Sequence, residues 1–291
     1  MLVLLAVTLP VVIGAIAMSA DVGVLYFNWQ KLQTSADTAV VAGAAYLPSD
    51  PAQAVSVANS YAAINGIAVK EITSTTISAD HSSLNMQLKR TVPYSFGVLL
   101  GLITGSVSVQ ATAQVLTIGK TTGVTPIGID YRTAYSGGQI VQLQQGQVGA
   151  GNWGPLALGG GGATILSQNI ENGYQGSIAS GQLLTTQTGL ATGPIRSAFN
   201  YLISTGQSVD PGGTFASHTP NDPRVLIVPM VDFSSINGNS QVPVKGFAAL
   251  WLVSVDGSQN IQTYFINQIA PGGSPDTTAT NYGAYQVALI Q

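Results

Sequence analysis

The sequence predicts an α+β fold: a long N-terminal helix over about residues 1–47, a small α+β head, and a β-rich C-terminal part. Three observations predict it. The opening stretch MLVLLAVTLPVVIGAIAMSA carries no charge, and Asp21 is the first charged residue. Apolar residues then recur at three- and four-residue spacing as far as Leu47, the signature of one helical face. Beyond Gly66 the pattern changes to alternation, which signals half-buried strands. The expected organisation is a helix over 1–50, a head over 51–119 and a β-rich surface domain over 120–291.

Twenty helical residues rise roughly 30 Å, the thickness of a bilayer's hydrocarbon core. The opening segment is therefore expected in lipid or in an equally dry place. After Asp21, the residues Val22, Leu25, Tyr26, Trp29, Leu32, Ala36, Ala39, Val40, Gly43 and Leu47 are expected on one stripe. Asn28, Lys31, Thr34, Ser35 and Asp37 fall largely off it. Pro48 and Pro51 end the run. Three readings of the opening segment stand side by side. A secretory signal would begin with Lys or Arg, and cleavage after Ala17 or Ala20 would cut a continuous helical pattern. An ordinary anchor would have flanking basic residues, and the nearest here is Lys31. A mature chain that has lost a basic leader accounts for both features.

Residues 51–66 predict a second helix, with Asp50 as cap, Pro51 in the first turn and Gly66 as the stop. Residues 72–78 and 84–90 alternate and predict two strands, joined by a turn from Asp80 to Ser83. Residues 92–101 read as a short apolar helix and 107–113 as a third strand. Between Lys120 and Pro126 the composition turns to Gly, Thr and Pro, which marks a boundary. Beyond it, 139–144, 224–232, 245–255, 260–269 and 282–290 are strand candidates, and 163–171 and 194–204 are short helix candidates.

Only 7 % of residues are charged, against about 25 % in ordinary soluble proteins. A surface so poor in charge favours association, which suits a subunit meant to assemble. The net charge of −3 and the lack of a basic patch make nucleic acid an unfavourable partner. The absence of cysteine removes disulfides, zinc–thiolate sites and thiol catalysis together.

The stretch LPVVIGAIAMSADVGVLYFNWQKLQTSADTAVVAGAAYL resembles the N-terminal segment of the Tad pilus-assembly TadE/TadG-like family. The residues that carry the likeness are Leu9-Pro10, then Ala20, Asp21-Val22-Gly23 and Leu25-Tyr26. Leu32-Gln33, Ala36-Asp37 and Ala42-Gly43-Ala44 complete it. The later VPYSFGVLLGLITGSVSVQATAQV is similar to the same family's small-residue strand, so the likeness covers about residues 1–118. GNWGPLALGGGGATILSQNIENGY (151–174) also resembles regions found behind such N-termini. Two departures stand out: no basic residue precedes the apolar helix, and Leu5 stands where type IV pilins place a glutamate.

The resemblance implies a cell-surface, pilus-associated protein. The first expectation is a pilin-like structural subunit of an extracellular filament. It would self-associate with its N-terminal helices in the core, cross the cytoplasmic membrane before assembly, and be handled by a pilus secretion machinery. The alternative is a membrane-anchored accessory protein of pilus assembly; a surface-bound enzyme or adhesin module is the distant third. The assembly helix is expected to use Leu2, Leu5, Leu9, Pro10, Gly14, Asp21, Gly23, Tyr26, Trp29, Leu32, Ala36 and Gly43. Its Gly and Ala residues let backbones approach closely, either between copies or within one chain against 51–66. Pro10 lacks an N–H and is expected to kink or locally open the helix. Asp21 is expected either to meet a neighbouring subunit's amine or hydroxyl, or to face water at the membrane boundary.

Residues that suggest chemistry lack the context for it, so no catalytic, cofactor or metal site is expected. Gly149 to Gly154 spells G-x-G-x-x-G but is followed by Pro155 and a glycine run rather than a helix. The run Gly159 to Gly162 has no Lys-Ser/Thr behind it and reads as a tight loop. Leu226 to Ser234 resembles the opening of a von Willebrand A metal site, but Ile236 stands where a serine is needed; a buried strand with an Asp-capped turn is the expectation. His81 and His218 each sit in turn-like surroundings without clustered carboxylates.

Overall fold

The computed structural model describes residues 2–47, 49–133, 137–143, 152–187, 192–219, 221–234, 240–256, 260–270 and 272–290. The fold is α+β, a long N-terminal helix followed by mixed sheets that make a β-rich C-terminal region. The chain forms two compact units. One holds the residues up to Val115 together with a C-terminal segment from Val287; the other runs from Leu116 to Gln286.

The first unit opens with helix α1 (Leu2–Ala44), a single run of 43 residues. Helix α2 (Pro51–Ile64) follows. Asp50 caps it: its carboxylate accepts the Gln53 N–H at 2.9 Å, and Pro51 occupies a position whose missing N–H costs nothing. The two helices meet through small side chains. Ala36, Ala39, Val40 and Ala44 of α1 are buried, as are Ala54, Ala58 and Ala62 of α2. Three antiparallel strands follow: β1 (Ile72–Ile77), β2 (Ser83–Pro93) and β3 (Thr104–Thr121), the last running on beyond Val115. Along β2, Leu84, Met86, Leu88 and Val92 are buried while Gln87 and Lys89 face outward, the alternation of a one-sided sheet.

The turn between β1 and β2 is where the sequence places it. Asp80 accepts the Ser78 hydroxyl at 2.6 Å and the Ser82 N–H at 3.2 Å. One expectation fails. Residues 92–101 are not a helix: Val92 and Pro93 extend β2, and only Gly97–Leu100 makes a single 3-10 turn. The continuous register from Ser83↔Gln114 to Pro93↔Thr104 explains this, because ladder hydrogen bonds carry the strands beyond the alternating segment. Gly101 ends the turn with φ +80°, which a side chain would disfavour.

The second unit contains β4 (Ile127–Asp130), β5 (Ile140–Leu143) and β6 (Trp153–Pro155), then helix α3 (Ala163–Asn172). The short strands β7 (Ile178–Ala179) and β8 (Leu183–Thr185) lead to helix α4 (Thr192–Val209). β9 (Val225–Val231), β10 (Gln241–Val255), β11 (Ile261–Ile266), β12 (Gln268–Ile269), β13 (Ser274–Pro275) and β14 (Ala284–Ile290) follow, the last running on into the first unit's C-terminal segment. The central sheet has the order β5-β11-β10-β9-β4-β6, with β4 parallel to β9. Both of its faces are covered. Leu226, Val228, Met230, Ala248, Leu250 and Leu252 pack with Ile195, Phe199 and Leu202 of α4 and with Leu166 and Ile170 of α3. Ile227, Val231, Phe247, Ala249 and Trp251 point into a second cluster with Leu156, Leu158 and Leu184. Two-sided burial is why β9 and the middle of β10 read as unbroken apolar runs.

The glycine-rich readings resolve as loops. Gly149 to Gly151 lie outside the described residues, while Trp153 and Gly154 form edge strand β6 rather than a helix start. Gly159 packs under Tyr174, where a Cβ would stand 3.0 Å from the ring. Strand β9 is central and is followed by Asp232, which accepts the Ser234 N–H at 2.9 Å; Ile236 lies outside the described residues.

Candidate functional site

The site is built on α1 and on the connection between β2 and β3, all within the first unit. A one-turn helix leaves its first N–H groups without intrahelical partners. Here Asp21, from far away in sequence, supplies the acceptors. Its Oδ1 accepts the Ser95 N–H at 2.8 Å, its Oδ2 accepts the Gly97 N–H at 2.7 Å, and Phe96 donates to both oxygens at 3.3 and 3.1 Å. Only 6 % of Asp21 is exposed. Within its own chain Asp21 therefore does not face water, and its carboxylate accepts from three amides of that chain.

The close approach depends on glycine. A Cβ on Gly105 would stand 2.5 Å from the Tyr94 hydroxyl and 3.2 Å from Leu25 of α1. A Cβ on Gly97 would stand 3.0 Å from that of Tyr94. Tyr94 donates its N–H to the Ile103 carbonyl and Leu102 donates to Gly97, each at 3.0 Å, so the connection closes on itself beside Asp21.

The capture of Asp21 changes what α1 shows to its surroundings. Leu9, Val11, Val12, Ile13, Ile16 and Met18 are exposed. Beyond Asp21 so are Val22, Val24, Tyr26, Phe27 and Trp29. Two polar side chains in this part bond the helix's own backbone: Ser19 donates to the Ala15 carbonyl at 3.0 Å and Asn28 to Val24 at 2.9 Å. From Leu2 onward, the first charge that α1 exposes is therefore Lys31, ten residues later than the sequence suggests.

A polar border lies at this level. Arg90 of β2 donates to Glu71 through Nε at 2.7 Å and Nη2 at 3.0 Å, and through Nη1 to Asn28 Oδ1 of α1 at 3.4 Å. Glu71 also accepts the Ala68 N–H at 2.9 Å. The guanidinium's hydrogen bonds hold the Glu71 carboxyl below the usual range, and the pairing raises Arg90 in turn. Just outside, the rings of Tyr26 and Trp29 stack with centroids 6.0 Å apart, both exposed.

Of the twelve residues expected on the assembly helix, nine have a described burial: Asp21 and three others are buried, and five are exposed. Leu32, Ala36 and Gly43 are buried in their own head. A Cβ on Gly43 would meet the Ala54 carbonyl at 2.5 Å and the Ala58 Cβ at 2.8 Å. Leu9, Gly14, Gly23, Tyr26 and Trp29 are exposed, and a Cβ on Gly14 or Gly23 would meet nothing within 4 Å. Leu2, Leu5 and Pro10 lie in the continuous helix, but their side chains are outside the described residues. The single stripe is thus corrected. The packed face runs through Ala17, Asp21, Leu25, Asn28, Leu32, Ala36 and Gly43, while Val22, Tyr26 and Trp29 point away from it.

Sequence reasoning missed Glu71 and Arg90, which no local motif marks. The uncharged run from Thr91 to Gly119 was visible, but nothing placed it beside α1. The second unit's ion pairs are self-contained: Asp222 with Arg224 at 2.7 Å, and Asp130 with Arg132. Among the described residues no three His, Asp or Glu side chains gather as a metal site would require.

No protein-family model matches the chain, and neither does any curated protein or solved structure. The likeness of residues 1–118 to the TadE/TadG-like family rests on the motif residues quoted above.

Proposed function

We propose that this chain is a pilin-like subunit of an extracellular, Tad or type IV pilus-like filament. Its N-terminal helix crosses the cytoplasmic membrane before assembly and packs with copies of itself afterwards. One observation carries the reading: a single 43-residue helix whose second half is the core of an α+β head while its first half exposes large apolar side chains. Among the described residues it is the one helix long and apolar enough to cross a membrane. Exposed apolar surface of this extent needs a dry partner, and both lipid and neighbouring helices supply one. Open space at Gly14 and Gly23 suits close helix approach between copies.

The internal capture of Asp21 favours a second reading, a membrane-anchored accessory protein of a pilus machine. A carboxylate bound by three amides of its own chain has little need of a neighbour's amine. Shearing surface fibres from the producing cells separates the two. A filament subunit is recovered in the sheared fibres and in their peptide maps. Recovery only with membranes sinks the filament reading and leaves the accessory one.

A further inference from the structure

We infer that the connection between β2 and β3 is a second membrane contact: Phe96, Val98, Leu102 and Ile103 insert into the bilayer interface beside α1. The inference rests on the reading that α1 spans a bilayer. Residues 96–103, FGVLLGLI, contain no polar side chain. Phe96, Val98, Leu102 and Ile103 are 45, 53, 54 and 70 % exposed, an unusual display for a short turn that could have been polar.

Three features identify lipid as what covers them. The connection sits against Asp21, at the end of the uncharged run of α1, so its apolar side chains continue that surface. The charge border is displaced to match. Asp21 is the one charged side chain in residues 1–30, there is none from Thr91 to Gly119, and Asp21 is withdrawn from the surface. The nearest border charge, Arg90, meets α1 at Asn28, seven residues or about 10 Å further along the helix. Third, Tyr26 and Trp29 stand exposed at that same level, where amphipathic rings favour the headgroup region. The described exposed apolar part of α1 then runs from Leu9 to Trp29, about 30 Å, which matches a bilayer's hydrocarbon core with the two rings at its edge.

The chain has no cysteine, so single sites can be labelled directly. The full chain is reconstituted in phosphatidylcholine vesicles carrying a nitroxide at Val98→Cys, Ile103→Cys, Ile13→Cys or Ser60→Cys. Oxygen, which concentrates in lipid, and a water-soluble nickel chelate then compete as relaxants. The expected result is an oxygen-to-nickel accessibility ratio severalfold higher at positions 98 and 103 than at 60, and comparable to that at 13. A ratio at 98 and 103 equal to that at 60, with 13 still oxygen-rich, overturns the second contact and leaves the anchor standing. Shielding of 98 and 103 from both relaxants means a second copy covers them and overturns lipid as the occupant. A nickel-accessible position 13 overturns the spanning reading, and this inference with it.

Discussion

The carboxylate of Asp21 accepts the backbone N–H of Gly97 at 2.7 Å across 76 residues of sequence. With the amides of Ser95 and Phe96 it ties the β2–β3 connection to the middle of α1. Hydrogen bonds to an ionised acceptor are about twice as strong as neutral ones, so these bonds join the two elements more firmly than neutral ones would.

Replacing Asp21 with Ala leaves three amides without acceptors. Their hydrogen exchange should quicken by about tenfold or more, consistent with loss of charge-assisted bonds. Asp21→Asn keeps an acceptor oxygen and should fall between. Exchange at residues 95–97 measured by mass spectrometry decides this, and unchanged protection in Asp21→Ala would show that the tie holds nothing.

Gly43 and Gly14 should respond oppositely to alanine. At Gly43 the new methyl meets the Ala54 carbonyl, Leu84 and Ala58 within 2.8 Å, so overpacking should cost about 1–3 kcal/mol. At Gly14 it meets nothing within 4 Å, so the head should keep its stability. Denaturation in detergent reads both. A filament core that needs close backbones would make Gly14→Ala defective in assembly alone.

Acid should loosen the first unit through Glu71. Its pKa is lowered, chiefly by hydrogen bonds from Arg90. The unfolded chain therefore binds the proton more readily. The contribution is complete above the unfolded value near 4.5 and is lost as pH falls through the lower folded value. Glu71→Gln should flatten this part of the stability–pH curve. Asp80, held down to about 2 by the Ser78 and Ser82 hydroxyls, should extend the acid limb between about 3.8 and 2. A curve for Glu71→Gln that parallels the parent below pH 4.5 would refute the assignment.

In the second unit, Arg224 lies over the Trp251 ring at 4.4 Å and pairs with buried Asp222. Arg224→Met strands that carboxylate, and removing one partner of a buried pair typically costs about 3–5 kcal/mol. Urea unfolding of this variant should show a loss of that order. The double variant Arg224→Met, Asp222→Leu should recover part of it, and a loss under about 1 kcal/mol would mean that water reaches the site.

Much of the fold is legible because its signals are local. Helix α2 has its cap and stop in place, and the long helix reads directly from charge-free sequence and spacing. The apolar runs at 225–231 and 247–253 mark strands covered on both sides. Strands β4, β6, β7, β8 and β13 were not legible, since segments of two to four residues are strands only through their partners. The short helix expected at 92–101 failed for the same reason: ladder bonds to β3 outweighed local apolar character.

The sequence by itself determined that a long uncharged helix leads this chain and that an acid interrupts its apolar surface at position 21. Only the tertiary structure decided which side of α1 is spent on the head and which stays bare. A helical pattern shows that apolar residues share a face, but not whether their partner is in the same chain. The fate of Asp21 was likewise beyond local reading, because the amides that bind its carboxylate come from a turn between two distant strands. That contact moves the first exposed charge of α1 from Asp21 to Lys31 and lengthens its apolar surface accordingly.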